Sequence, residues 1–312
     1  MAFSHSELLD ALDSVNSIPL IPFDGGRIDC DGHARNVDYL MGNNHLSGGR
    51  PRVIGLAGTS LVHHIRPEEH LRLVDITGRQ MGARGLLLAA LVPNPLAQAG
   101  DFVDQLMALP RPPDVFLIMP LTGTFSPEGL YGQLLEFTVC YGERHGARFL
   151  YYYRSARDRD AILRLLKDSP HMVGVKIGTE VADVPAFVQG VGGERIVIWG
   201  VGDRSTAAAE LGARGHTSGI NVVFARASDA INNAQRCGDY AAARQVEALI
   251  DPLEQLRFVN GRAWNYAAVA EAIRLGGFGD VVAGGGAPFN PRVPQEISAQ
   301  IGRMVADLRA WH

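Results

Sequence analysis

The chain has 312 residues, 46% hydrophobic and 20% charged, the composition of a globular protein rather than a disordered or fibrous one. A net charge of −4 gives no basic field for a polyanion, which excludes nucleic acid as the main ligand. No apolar run approaches the ~18 residues of a membrane span, and the opening MAFSHSELLDALDS lacks basic and apolar leader regions, so a cytoplasmic protein that does not touch a membrane is expected.

Eight short apolar runs recur along the first 220 residues: IPLIPF (18–23), VIGLAG (53–58), GLLLAALV (85–92), VFLIMP (115–120), RFLYYY (148–153), MVGVKIG (172–178), RIVIWGVG (195–202) and HTSGI (216–220). Most are apolar on both faces, as strands covered on both sides are. Between them lie segments of helical period with Pro, Asp or Ser starts, among them 67–82, 127–146 and 158–169. Eight such units predict an α/β fold, a (β/α)8 TIM barrel over 1–224, in preference to a doubly wound sheet. Residues 225–312 continue with helical patterns only and predict a C-terminal helical extension, interrupted by the Gly- and Pro-rich loop 276–294.

Barrel chemistry sits at the C-terminal ends of the strands. Of 29 basic residues only Lys167 and Lys176 are lysines. Lys167 lies in the helical stretch RLLKDS and reads as a solvated surface residue. Lys176 stands in an apolar strand, where strict alternation puts Met172, Gly174 and Lys176 on the barrel side and Val173, Val175 and Ile177 against the helices. A buried amine tends to lose its proton and then attacks carbonyls, which an arginine cannot do. The same alternation puts Phe149, Tyr151 and Tyr153 on one face of the preceding strand, so an inward Tyr151 is the expected proton-transfer partner of Lys176.

Taken together, Gly174-Val175-Lys176, LYYYRSAR (150–157), PLIPFDGGRID (19–29), SPEGLY (126–131) and LGARGHTSGI (211–220) resemble the dihydrodipicolinate synthase and N-acetylneuraminate lyase superfamily of class I, Schiff-base aldolases. The resemblance spans residues 17–310. It implies a barrel with a helical extension, usually a homotetramer (a dimer is the other assembly considered), using neither metal nor organic cofactor on pyruvate or another 2-oxo acid. Lys176 takes the Schiff-base role and Tyr151 the acid/base role, with Gly58, Thr59 and Ser60 at the substrate carboxylate. Gly200, Thr217 and Ser218 are the further substrate contacts expected at strands 7 and 8.

The chain also departs from the pattern. The family's strand 2 loop ends in Glu, where this chain has Leu61; Leu121 and Thr122 replace a tyrosine pair after Pro120; Tyr152 stands where the synthase has Asn. The strand 5 segment and NGRAWNY (260–266) look more like the 5-dehydro-4-deoxyglucarate dehydratase branch, in which Arg154 would pair with a second carboxylate and Arg157 is the other basic candidate. A 2-oxo-acid-binding barrel with reduced catalysis and a phosphosugar enzyme are the remaining readings. Adjacent His63 and His64 have no third ligand at metal spacing, and GVGDRS (200–205) is a weak phosphate-loop likeness. Cys30, Cys140 and Cys237 are too few and too far apart for a disulfide framework.

Overall fold

The computed structural model describes residues 3–312. Helix α1 (His5–Leu12) precedes strand β1 (Val15–Ser17), and a small hairpin follows, β2 (Phe23–Asp24) with β3 (Arg27–Ile28). Helix α2 (Cys30–Gly42) leads into β4 (Arg52–Leu56), and α3 (Pro67–Met81) into β5 (Gly85–Leu91). Next come α4 (Leu96–Met107), β6 (Val115–Ile118), α5 (Pro127–His145), β7 (Phe149–Tyr153) and α6 (Arg159–Asp168). The barrel is completed by β8 (Met172–Ile177), α7 (Val184–Val191), β9 (Ile196–Trp199), α8 (Thr206–Glu210) and β10 (His216–Ser218). Strand β1 pairs with both β10 and β4, and every pairing around the ring is parallel, so eight strands close a (β/α)8 barrel.

One strand lies elsewhere than the apolar pattern predicts. The barrel strand is the polar Val15-Asn16-Ser17, whereas IPLIPF runs on across the mouth. Pro19 and Pro22 have no N–H for a ladder, and the last barrel bond is from the Ile18 amide to the Ser218 carbonyl. Phe23 and Asp24 then turn back through Gly25 and Gly26, both at positive φ, to pair with Arg27 and Ile28.

The interior is filled by Val53, Leu86, Leu88, Leu117, Leu150 and Ile198 with their neighbours, and Leu8 and Leu12 of α1 pack into the same cluster. A second layer, including Phe116, Phe149, Tyr151 and Val175, meets the surrounding helices. The pairing of β7 with β8 shifts register after Phe149, where Val173 is skipped. Strict alternation therefore fails at this point: Val173 belongs to the interior cluster and Met172 to the outer one. Beyond the bulge Lys176 faces inward as expected, with Val175 and Ile177 outward. Gly174 is required in this stretch, since a Cβ there would run into the Ile196 carbonyl oxygen.

Helices α9 (Ala225–Arg236), α10 (Tyr240–Arg262), α11 (Ala267–Gly276) and α12 (Gln295–Leu308) follow. Helix α9 is tied to β4 by a buried ion pair: Arg52 donates from Nη1 and Nη2 to the two Asp229 oxygens at 2.7 Å each, with both side chains fully buried. Two backbone carbonyls, of Leu40 and Asn43, accept from Arg52 Nε and Nη2. Asp229→Ala would leave this guanidinium buried without its counter-charge, and a loss of about 3–5 kcal/mol is expected in denaturant unfolding. A change below ~1 kcal/mol would show that water reaches the site. No helix among the described residues is long and apolar enough to cross a membrane.

Candidate active site

At the C-terminal mouth of the barrel lies a cavity of about 390 Å³, within the size range of small-molecule sites. Lys176 enters it from β8, Gly58 and Thr59 from the 3-10 turn after β4, Gly200 from the end of β9 and Thr217 from β10. Arg154, Arg257 and Arg262 also line it, with His63, whose pKa burial lowers, and among the described residues no carboxylate does.

Lys176 is 6% exposed. Burial lowers its pKa from the ordinary lysine value; Tyr152 opposes the shift, and Arg262 and Arg154 add to it. Its Nζ lies 4.2 Å from the centroid of the Tyr152 ring. Gly200 permits the approach of the lysine stem, because a Cβ there would come within 2.9 Å of the Lys176 Cε and 2.5 Å of the Ile177 carbonyl.

The tyrosine beside the amine is thus Tyr152 and not Tyr151, which corrects the expectation from alternation. Tyr152 is the register partner of Lys176 and packs in the interior, while Tyr151 is opposite Val175 and packs in the outer layer. The two phenols differ accordingly. Burial pushes Tyr151 up, and its one favourable backbone contact is at Leu121. Burial also raises Tyr152, but Lys176, Arg154 and Arg262 outweigh it and bring the phenol down to about 7. The Tyr152 oxygen accepts from Arg154 Nη1 at 3.1 Å and from Arg262 Nη1 at 3.4 Å. Donors of this kind favour the phenolate and make a base near neutral pH.

Two expected hydroxyls are committed elsewhere. Ser60 is buried and donates to the Pro19 carbonyl at 2.8 Å. Ser218 is buried, donates to Asp203 at 2.7 Å and accepts from the Asn221 amide at 3.0 Å. Neither lines the cavity, unlike their neighbours Thr59 and Thr217. Arg157 pairs with Asp158 and covers the Phe125 ring, away from the cavity. Lys167 is exposed on α6. In the GVGDRS segment Asp203 is buried beneath the site, facing His216 and Ser218, with its amide donating to Glu254. Burial raises the Glu254 carboxyl and the nearby Asp203 adds to this, while Arg257 opposes it as an ion-pair partner.

Sequence reasoning missed Arg257, Arg262 and Asn265, all from the end of α10 and the segment beyond it. Helix geometry breaks at Val259, Asn260 and Gly261, and Asn260 (φ 48°), Gly261 (φ 70°) and Arg262 (φ 78°) are all left-handed. Such residues cost about 1–3 kcal/mol each when they are not glycine and cluster at functional sites. The break turns Arg262 into the cavity, where Nη2 also donates to the Gly178 carbonyl at 3.4 Å. The Asn260-Gly261 dipeptide was the available signal. Arg257 has its donors occupied by Glu254 and Asn265 and forms part of the wall.

Residues 158–291, a stretch that holds Lys176 and Arg262, match the sequence model of the Dihydrodipicolinate synthetase family. Solved structures share the fold over nearly the whole chain. A dihydrodipicolinate synthase from Bacillus clausii is 20% identical, covering 96% of this chain and 98% of its own with a TM-score of 0.82. A 4-hydroxy-tetrahydrodipicolinate synthase from Methylacidiphilum fumariolicum is 21% identical over 95% and 96%, with a TM-score of 0.80. A Ruminococcus gnavus sialic acid aldolase mutated at its catalytic lysine is 14% identical over 99% of each chain, with a TM-score of 0.81.

Proposed function

We propose that the chain is a Schiff-base-forming lyase of the dihydrodipicolinate synthase and N-acetylneuraminate lyase superfamily acting on a 2-oxo acid, a reading supported by the family-model match over residues 158–291 and by the shared barrel fold. The observation that carries this reading is the buried Lys176 amine, over the ring of a low-pKa tyrosine, in a cavity that three arginines and, among the described residues, no carboxylate line.

The neutral amine bonds to the 2-oxo carbon, and the oxo oxygen leaves as water after protonation, giving an iminium. Tyr152 is the group placed to shuttle these protons. The iminium then accepts the electron pair released when a proton or a carbon–carbon bond at C3 is lost. Aldol cleavage and dehydration share this intermediate and differ in which substituent of the chain beyond C3 departs. After cleavage the enamine takes a proton at C3 and becomes an iminium again, and addition of water to C2 then returns the oxo group and frees the amine. Thr59, with the open backbone at Gly58, is placed to receive the substrate carboxylate, and Thr217 and Gly200 bound the space beside the amine.

With only two lysines in the chain, the test is simple to interpret. Borohydride added with pyruvate is expected to leave one stable adduct, which peptide mapping places on Lys176 and not on Lys167. An unchanged protein mass, or an adduct on Lys167 alone, would sink the proposal. An adduct at Lys176 with no turnover of any 2-oxo acid would instead favour the reading of a barrel with reduced catalysis, which the replacement of Glu by Leu61 motivates.

A further inference from the structure

The contacts that the Arg262 side chain makes are too long to fix it. Among the described residues its polar partners are the Tyr152 oxygen and the Gly178 carbonyl, each at 3.4 Å and so beyond the usual range of a hydrogen bond. Its backbone is left-handed, as is that of Asn260, a conformation that persists in a non-glycine residue where the surroundings over-determine it. Those surroundings lie on either side of the break in α10. Before it, Glu254 and Arg257 form an ion pair that is fully buried. The pair is tied to the barrel: the Asp203 amide, beyond β9, donates to Glu254 Oε2 at 3.0 Å, while the Asp203 carboxylate is held by Ser218 and His216 of β10. Two glycines leave room for it, since a Cβ at Gly202 would run into the Glu254 carboxylate and one at Gly219 into the Arg257 guanidinium. Across the break, Arg257 Nη2 donates to Asn265 Oδ1 at 2.8 Å, and Nε points to the Asn265 carbonyl at 3.4 Å. Burying such an ion pair costs about as much as it returns, so stability alone does not account for it.

We infer that Glu254, Arg257 and Asn265 are positioning residues: they clamp both ends of the segment 258–265 to the barrel, and the clamp, rather than any contact of its own side chain, holds the Arg262 guanidinium at the Tyr152 oxygen. Of the two guanidiniums at that oxygen, Arg154 is exposed and Arg262 half-buried, so Arg262 is the less screened by water. Release of the segment would leave the phenolate with Lys176 and Arg154 alone. The role rests on the reading of Tyr152 as the proton-transfer group and makes the helical extension part of what sets that group's charge.

The test needs no substrate. In ultraviolet difference spectra of tyrosinate, Tyr152 is the step that Tyr152→Phe lacks. Arg262→Asn, which tolerates a positive φ, deletes the charge outright and should raise the midpoint of that step by about one pH unit, the lower end of what a neighbouring charge does. Arg257→Lys keeps the charge of the ion pair and loses the fork that reaches Asn265, whereas Asn265→Ala removes the acceptor and leaves the pair intact. Neither alters the formal charge, yet each is expected to raise the midpoint by about half or more of the Arg262→Asn shift. In the Arg262→Asn background the same changes should move it no further, because the clamp then has nothing to position. Thermal melts verify folding, and Asn265→Ala, which strands no charge, decides the matter if Arg257→Lys does not fold. A wild-type titration with no step that Tyr152→Phe lacks, an unchanged midpoint in Arg262→Asn or in the folded clamp variants, or shifts that persist in the Arg262→Asn background overturn the clamp and leave Schiff-base formation intact. A pyruvate adduct missing from Lys176 overturns the lyase reading instead, whatever the titration shows.

Discussion

Lys176→Met is expected to abolish turnover while leaving the protein as stable as the wild type or more so. Deleting the nucleophile removes the covalent route, and only binding and electrostatics remain, which corresponds to a loss of about 10⁴-fold or more in kcat. Stability follows a different balance. The amine is 6% exposed, and burial, reinforced by the charges of Arg262 and Arg154, holds it below its ordinary pKa in the folded chain. For a cation with a depressed folded-state pKa the unfolded chain binds more protons, so the wild type is penalised at low pH and recovers as pH rises toward the unfolded lysine value. Methionine fills the space of the stem and carries no charge. Melting temperatures measured as pH is raised from neutrality toward the unfolded lysine value should therefore rise more steeply in the wild type than in the variant. Each ~1 kcal/mol corresponds to roughly 2 °C in a chain of this size. Parallel curves would show that Lys176 is solvated or paired in solution, contrary to the site described above.

The barrel and its lysine were readable from sequence because both depend on composition at short range. A two-sided apolar run marks a covered strand, and a lysine within one is conspicuous in a chain whose cations are nearly all arginine. What could not be read depends on register and on partners distant in the chain. The first strand, Val15-Asn16-Ser17, is short and polar, and the apolar run after it made a better strand until its prolines are counted against the ladder. Ser60 and Ser218 carry the right group, but the Pro19 carbonyl and Asp203 that occupy them come from other segments. Arg262 was hidden because a helical pattern gives no notice of where its axis breaks.

The most consequential one-residue difference is at Tyr152. Three consecutive tyrosines supply no internal phase, and the irregular pairing of β7 with β8 removes the phase that strict alternation would lend. The two candidates can be separated by the smallest available change. Tyr152→Phe keeps the ring over the amine and deletes only the oxygen that accepts from Arg154 and Arg262. Loss of a positioned acid/base group should lower kcat by about 10²–10⁴-fold. Tyr151→Phe deletes a hydroxyl in the outer layer, and its expected cost is about 1 kcal/mol of stability with kcat unchanged. The pH profile adds an independent readout. With the phenol at about 7, kcat/KM of the wild type should climb through neutrality as the base forms, and that step should vanish in Tyr152→Phe. Because the phenol and the amine interact, the midpoint belongs to the pair, and in Lys176→Met the phenol should titrate higher, which ultraviolet difference spectra of tyrosinate can follow. If Tyr151→Phe loses as much activity as Tyr152→Phe and keeps its fold, the proton-transfer role returns to the outward tyrosine and the inward register of β7 cannot be the catalytic one.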